Sequence, residues 1–397
     1  MKIAKLEDFH ADGGWRTLSF LKVTTDDGLV GWSEFNEGFG VGGASDIIRR
    51  FAPLVIGEDP RRVGKIGATL RALVQLAPGG LNAQAIAAIE NACLDIKAKA
   101  LGVPVAALFG GPFRDRIPLY WSHCGSFRVA HAALFERELK TPPLRNIDDV
   151  KRLGEEAVRR GFKALKTNPL LFDGDKPRMA PAGFQPGTPV LDRNPDHRLV
   201  AAITDQLAAL RDGAGPAMGL LLDLNFSQHI EGYRRIAHAI ERFDMLWVEI
   251  DLHDPVGLTT IRNSTSVPLA SLETIYGTRQ FRPYFEARAV DVAIVDVPWN
   301  GLWESVRIAA VADAFDVTVA PHNYYGDLAN LMSAHFCAAV PNFRIMEFEA
   351  DDMPWTHDYV TRPVVVENGE LVLPEAPGWG ADIDEAALAA HPPKRRG

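Results

Sequence analysis

The chain has 397 residues, 47% hydrophobic and 23% charged, which fits a soluble globular protein with one large domain and one smaller one. Its net charge is −9 and its only basic run is the terminal KRR, which argues against nucleic acid or an anionic membrane surface as a partner. Cys93, Cys124 and Cys337 lack CxxC spacing, the N-terminus has no apolar leader, and no apolar run approaches the roughly 20 residues of a membrane span, so a reduced, cytoplasmic protein is expected.

Residues 3–35 read as three short strands, IAKLEDFHA, RTLSFLKVTT and LVGWSEF, the last two divided by the turn DDG. Three helices with apolar residues at three-to-four spacing follow; the clearest is NAQAIAAIENACLDIKAKALG, expected to start at an Asn cap and to stop at Gly102. Residues 1–116 thus read as an α+β module. From residue 117 the rhythm changes. Eight apolar runs (IPLYWS, FKALKT, GLLLDL, MLWVEI, VPLASL, DVAIVD, VTVAP and FRIMEF) alternate with amphipathic helices, seven of which follow the first seven strands. The pattern predicts an α/β fold with a (β/α)7β TIM-like barrel over 117–355 rather than an open sheet. PVVVENGELVLP reads as a hairpin turning at Asn368-Gly369. It is placed in a 356–397 segment expected to return to the N-terminal module. The Pro/Gly-rich stretch 169–195 is expected to form a long wall over the site.

In such a barrel the C-terminal strand ends carry the chemistry. They offer Lys166 and Asn168, Asp223 and Asn225, Glu249 and Asp251, Glu273, Asp296, His322 with Asn323, and Glu347 with Glu349. A single strand-end polar residue is ordinary turn chemistry. The set is different. Three acids ending three successive strands would repel one another and shift their pKa values upward; a divalent cation removes that conflict, and all-oxygen ligands select Mg2+ or Mn2+ over Zn2+. Asp223, Glu249 and Glu273 are therefore expected to hold one Mg2+ per subunit. Lys166 flanks them on one side, and Asp296 orients His322 on the other. Two candidate bases about a cation suit removal of a proton next to a carboxylate, through an enediolate. Glu347, if protonated, would donate to the developing oxyanion.

These segments resemble the enolase superfamily, and within it the mandelate racemase subgroup, over nearly the whole length. AIAAIENACLDIKAKALGVPVAALFGG is similar to the last helix of that family's capping domain. LLLDLNF, WVEIDLHDP and LASLETIYG resemble its three metal-ligand segments, VDVAIVDVPWNGLWESVRIAAVADAFDVTVAPHN its Asp and His strands, and PNFRIMEFE its eighth-strand Glu. The resemblance implies a cap over 1–116, to which the 356–397 segment returns. The family's Lys-x-Lys becomes Lys166-Thr-Asn168 here, as in some galactonate-type dehydratases. Those carry a histidine where this chain has Asn225. Glu-Glu-Pro becomes Glu249-Ile-Asp251, and Asp251 has no assigned role.

The missing second lysine favours a Mg-dependent acid-sugar dehydratase giving a 2-keto-3-deoxy acid. His322 is the base and Lys166 is mainly electrostatic. A racemase, epimerase or cycloisomerase on a carboxylate is the alternative; a non-catalytic sugar-acid-binding barrel would not need the buried like charges. Asn168, Asn225, Asn323, His123 and Trp355 are expected to line the substrate pocket, with Trp15 and Arg16 from the loop HADGGWRTL; Arg16 would meet a distal carboxylate or lie on the surface. A homo-oligomer is expected.

Overall fold

The computed structural model describes residues 1–38, 42–172, 174, 176–184 and 193–394. An antiparallel meander, Ile3–Asp12, Thr17–Thr25 and Val30–Phe35, opens the chain. Helices Ala44–Val55, Val63–Leu73 and Gly80–Leu101 follow. The third helix is rich in small residues and buried around its whole circumference through its middle, so two layers pack on it. On the meander side, Asp95 accepts from Trp32 N and Lys99 Nζ at 2.9 and 2.6 Å. On the barrel side, Asn91 accepts from Leu302 N at 2.8 Å. The helix ends at Gly102, whose φ of 69° is left-handed, as expected. Its start differs from expectation. It begins after Gly79, and Asn82 instead donates to Ala77 O at 2.9 Å, bracing the preceding turn.

Eight parallel strands form the barrel: Arg116–Trp121, Ala164–Thr167, Gly219–Asp223, Trp247–Glu249, Leu269–Ser271, Val292–Asp296, Thr318–His322 and Met346–Phe348. The eighth pairs with the first, and Arg344 N donates to Val319 O at 2.9 Å to join the eighth segment to the seventh. Some crossover helices start where a short polar side chain accepts from the first free backbone N–H groups. Asn146 and Asp149 form a capping box on Ile147–Arg159, and Asp254 caps Pro255–Arg262 with proline at its first position.

The barrel interior is a separate apolar layer: Tyr120, Ala164, Leu221, Trp247, Ala270, Val292, Ile294, Ala320 and Ile345. Because strand side chains alternate, the residue two positions later faces the same interior, one pleat nearer the open end. Ala164 thus precedes Lys166, Leu221 precedes Asp223, Trp247 precedes Glu249, Ile294 precedes Asp296, Ala320 precedes His322 and Ile345 precedes Glu347.

Two segments depart from the expected layout. The hairpin Val366–Glu367 and Glu370–Val372 adds antiparallel to the first barrel strand, pairing Leu371 with Ile117, and does not itself join the cap. The N-terminal half of that barrel strand has a free edge that takes it. The stretches on both sides of it do reach the cap, where Tyr359 OH donates to Asp12 O at 2.8 Å and Trp379 Nε1 donates to Trp32 O at 2.8 Å. Within 169–195, Leu170–Leu171 pairs with Arg178–Met179; residues 173, 175 and 185–192 of the expected wall lie outside the described residues. Among the described residues, no helix is long and apolar enough to cross a membrane.

Candidate active site

Three of the expected cation ligands end adjacent strands. Asp223 stands level with Glu249, and Glu249 is level with Ala270 of the fifth strand. On the fifth strand the alternation breaks. Ala270 faces inward, so Leu272 should as well, yet Leu272 packs in the outer core and has a φ of 95°. This left-handed kink is costly for a leucine, and it turns Glu273 inward instead. His322 Nε2 lies 3.5 Å from Glu273 Oε2 as a result.

Glu249 is fully buried, and one of its oxygens has no partner. Burial, and then the charges on Asp223, Glu273 and Glu347, push its carboxyl up to about 8 against the pull of Lys166. Asp251 follows two residues later on the same face. It is 2% exposed and, among the described residues, neither oxygen has a partner. Burial, with Glu273, Asp223 and Glu249 nearby, drives it well above the usual carboxylate range. Lys166 is the local counter-charge. Its Nζ lies 3.0 Å from Glu249 Oε2, 2.9 Å from Glu347 Oε1 and 3.6 Å from Asp223 Oδ2. Burial opposes its charge, but Glu249 and Glu347 keep the ammonium protonated well above the ordinary lysine value. Among the described residues, no three acidic, histidine or cysteine side chains are already gathered into a ready metal cage; the ammonium stands among the acids instead. The donor set nevertheless suits a hard divalent cation. It is made of carboxylates, it is buried, and it keeps unsatisfied oxygens on Glu249 and Asp251.

Asp296 and His322 are paired in register on strands six and seven, with Nδ1 2.6 Å from Oδ2. Tyr325 OH donates to the same oxygen at 2.7 Å, and Trp299 N donates to Oδ1 at 2.7 Å. Burial pushes the Asp296 carboxyl upward, but these donors favour the carboxylate. Burial also opposes a charged imidazole, yet Glu273 and Asp296 raise His322 to about 10. Its Nδ1 is occupied, so Nε2 is the atom available for chemistry.

Opposite, Asn168 donates to Asp223 O at 3.3 Å and to Asn225 Oδ1 at 3.4 Å. The two amides border a cavity of about 100 Å³ that also includes Asp223 and Gln228. Trp15 of the cap loop packs at a tilt against Phe127 and stacks on Tyr324, with ring centroids 4.3 and 6.5 Å apart; Tyr324 lies 5.0 Å from the His322 ring. His123, at a φ of 47°, stacks on Phe127 at 4.0 Å and places Nδ1 3.2 Å from Glu349 Oε2. Burial lowers His123 to about 4, leaving the ring neutral.

Four expectations change. Glu347 is an acceptor. It takes Ser122 Oγ at 2.5 Å and Asn323 N at 2.7 Å. Burial works against its charge, but Lys166 and His322, with the Ser122 hydrogen bond, outweigh it and hold the carboxyl well below the usual range, so it has no proton to donate. Asn323 is fully buried with its amide consumed: Nδ2 donates to Asn330 Oδ1 at 2.7 Å and Oδ1 accepts from Ser333 at 3.2 Å. It braces the turn after strand seven and has nothing left for substrate. Trp355 donates to Asp12 O at 2.7 Å and stacks on His391, which places it at the seam between cap and tail. Arg16 is not a surface residue. It is buried, donating to Asp352 Oδ2 at 2.6 Å and to Tyr325 O at 2.9 Å.

Tyr325, Trp299 and Ser122 were not singled out from sequence. The signal for Tyr325 was its place in PHNYY, one turn past the histidine strand. Trp299 stands in WNG, where the family that the segments resemble normally carries Gly-Gly; nothing local marked Ser122.

A capped (β/α)-barrel with acids, a lysine and an Asp–His pair on one strand-end face defines a barrel enzyme that works on small molecules at its cap-side mouth. The family described as "Enolase C-terminal domain-like" matches residues 149–387, and "Mandelate racemase / muconate lactonizing enzyme, N-terminal domain" matches residues 14–110. The chain belongs to the enolase superfamily, in its mandelate racemase subgroup. It is 29% identical to a D-xylonate dehydratase of Haloferax volcanii, over 98% of this chain and 89% of the relative. It is 30% identical to a D-galactonate dehydratase family member of Streptomyces bingchenggensis, over 95% and 90%. A candidate L-alanine-DL-glutamate epimerase from Burkholderia xenovorans, solved with magnesium and fumarate, is 46% identical with a TM-score of 0.95, over 100% of this chain and 97% of that one.

Proposed function

We propose that this chain is a Mg2+-dependent hydro-lyase that dehydrates an acid sugar, an aldonate or aldarate, to a 2-keto-3-deoxy acid. The observation that carries the reading is the asymmetry across the site. One side has a complete Asp296–His322 dyad whose Nε2 faces Glu273; the other has Lys166 tied to Glu249 and Glu347, followed by an amide where a second base would stand. Relatives named as D-xylonate and D-galactonate dehydratases support the substrate class, and the magnesium in the Burkholderia structure supports the cation.

Asp223, Glu249 and Glu273 would hold the cation, which would supply positive charge to the substrate carboxylate and to the enediolate formed when the α-proton leaves. His322 Nε2 takes that proton. With Glu273 uncompensated, His322 is held as the imidazolium; engaging the Glu273 charge elsewhere frees it to act as a base. The β-carbon–oxygen bond then breaks, and the proton carried by His322 leaves with the hydroxyl as water. The enol left behind tautomerises to the keto acid. Lys166 offsets negative charge opposite the dyad, and the Asn168 and Asn225 amides present donors and acceptors for hydroxyl groups. Tyr325 holds Asp296, and through it the His322 ring, in place.

The likeness to the Burkholderia structure favours a second reading, epimerisation through the same intermediate. That reaction needs a second base on the opposite face, and Lys166 would have to shed two carboxylates to become one. The test is incubation with aldonates and aldarates plus Mg2+. Keto-acid formation supports the dehydratase; inversion at the α-carbon without keto acid supports the epimerase.

A further inference from the structure

Asp251 is the buried carboxyl that the mechanism above does not use. It lies two residues past Glu249, so both side chains face the same interior. Its backbone N–H donates to Asn225 O at 3.1 Å, which seats it against the end of the third strand, two residues beyond Asp223. It is 2% exposed, and neither carboxylate oxygen finds a donor among the described residues. Lys166, the cation whose charge bears on it, is already shared by Glu249, Glu347 and Asp223. A buried carboxylate with both oxygens unsatisfied is strongly unfavourable, and it persists only where something in the working molecule completes it. A substrate hydroxyl would give it a hydrogen bond but no charge. A divalent cation answers both needs.

We propose that Asp251 is a fourth carboxylate of the cation-binding set, completing the shell of the divalent cation directly or through one coordinated water. This rests on the reading that Asp223, Glu249 and Glu273 bind that cation. It raises the cation's carboxylate set from three to four, so the cation is held by more negative charge than the three expected ligands alone supply.

The test is calorimetric titration of the substrate-free protein with Mg2+ and with Mn2+, comparing wild type, Asp223→Asn and Asp251→Asn. Thermal unfolding of each in EDTA is followed alongside. The expected result is one site in wild type, near-complete loss in Asp223→Asn and roughly 10–100-fold weaker binding in Asp251→Asn. The EDTA-treated Asp251→Asn protein should melt no lower than wild type, because the buried carboxyl that it replaces is itself unsatisfied. Wild-type cation affinity in Asp251→Asn overturns the proposal, most clearly if KM for the acid sugar rises instead, since Asp251 would then be a hydroxyl receptor. No cation binding by wild type is a different failure, that of the underlying cation reading. Asp251→Ser gives the same comparison should the amide variant not fold.

Discussion

Lys166 and Asn168 stand on one face of the second barrel strand, and their partners explain why neither matches the role of a base. The lysine balances carboxylates, and the amide is oriented by Asn225 and the Asp223 carbonyl. Proton transfer is therefore assigned to His322. His322→Asn is expected to lower kcat about 10²–10⁴-fold while cation affinity stays within a few-fold of wild type, checked by steady-state kinetics and calorimetry. Unchanged turnover would remove His322 from the chemistry. At this scale most of the site was legible in sequence, because each functional side chain follows an interior apolar residue by two positions. Glu273 was found for a simpler reason, as the third acid ending a strand. The kink at Leu272 that makes it face inward was not legible, since alternation alone would have turned it outward. Nor was the charge state of Glu347, which depends on partners from strands one, two and seven.

The loop between the first two strands is fixed to the barrel mouth by Arg16. The Arg16–Asp352 pair has side chains only 5% and 6% exposed. Removing one member of such a pair leaves the other charged and unpaired, so Arg16→Ala is expected to cost roughly 3–5 kcal/mol in denaturant unfolding, with partial recovery in Arg16→Lys. A cost below about 1 kcal/mol would mean that the loop is held by packing alone. A second tie joins His357 to Asp327 at 2.8 Å, and that bond raises the imidazole from 6.5 to about 9. The folded state favours the protonated ring. Its stabilisation is complete below pH 6.5, falls as pH rises through about 9, and is absent above. The His357 side chain is 54% exposed, so the effect is under about 1 kcal/mol. The Tm difference between wild type and His357→Ala should be largest near pH 6 and vanish near pH 10; a difference that grows with pH contradicts the pairing. Element positions were legible because periodicity and capping residues agree, as at Asn146 and Asp254. The docking of the hairpin was not, since a two-stranded ribbon carries no mark of which sheet edge accepts it.

At the scale of the whole molecule, the buried helix Gly80–Leu101 and the Trp379 tail knit cap, barrel and C-terminus together. The site lies where the cap loop meets the barrel mouth, so the charge that gathers there is isolated from solvent. A cation is the economical way to hold it. Chelation with EDTA is expected to abolish turnover and Mg2+ or Mn2+ to restore it, while the chain stays folded by circular dichroism. The central claim is elimination by one base at a cation site. It is tested most directly by proton NMR of the enzyme with Mg2+ and a panel of aldonates and aldarates in deuterated water. The account predicts loss of the α-proton together with appearance of a 2-keto-3-deoxy acid. An α-deuterated epimer accumulating with no keto acid would contradict it.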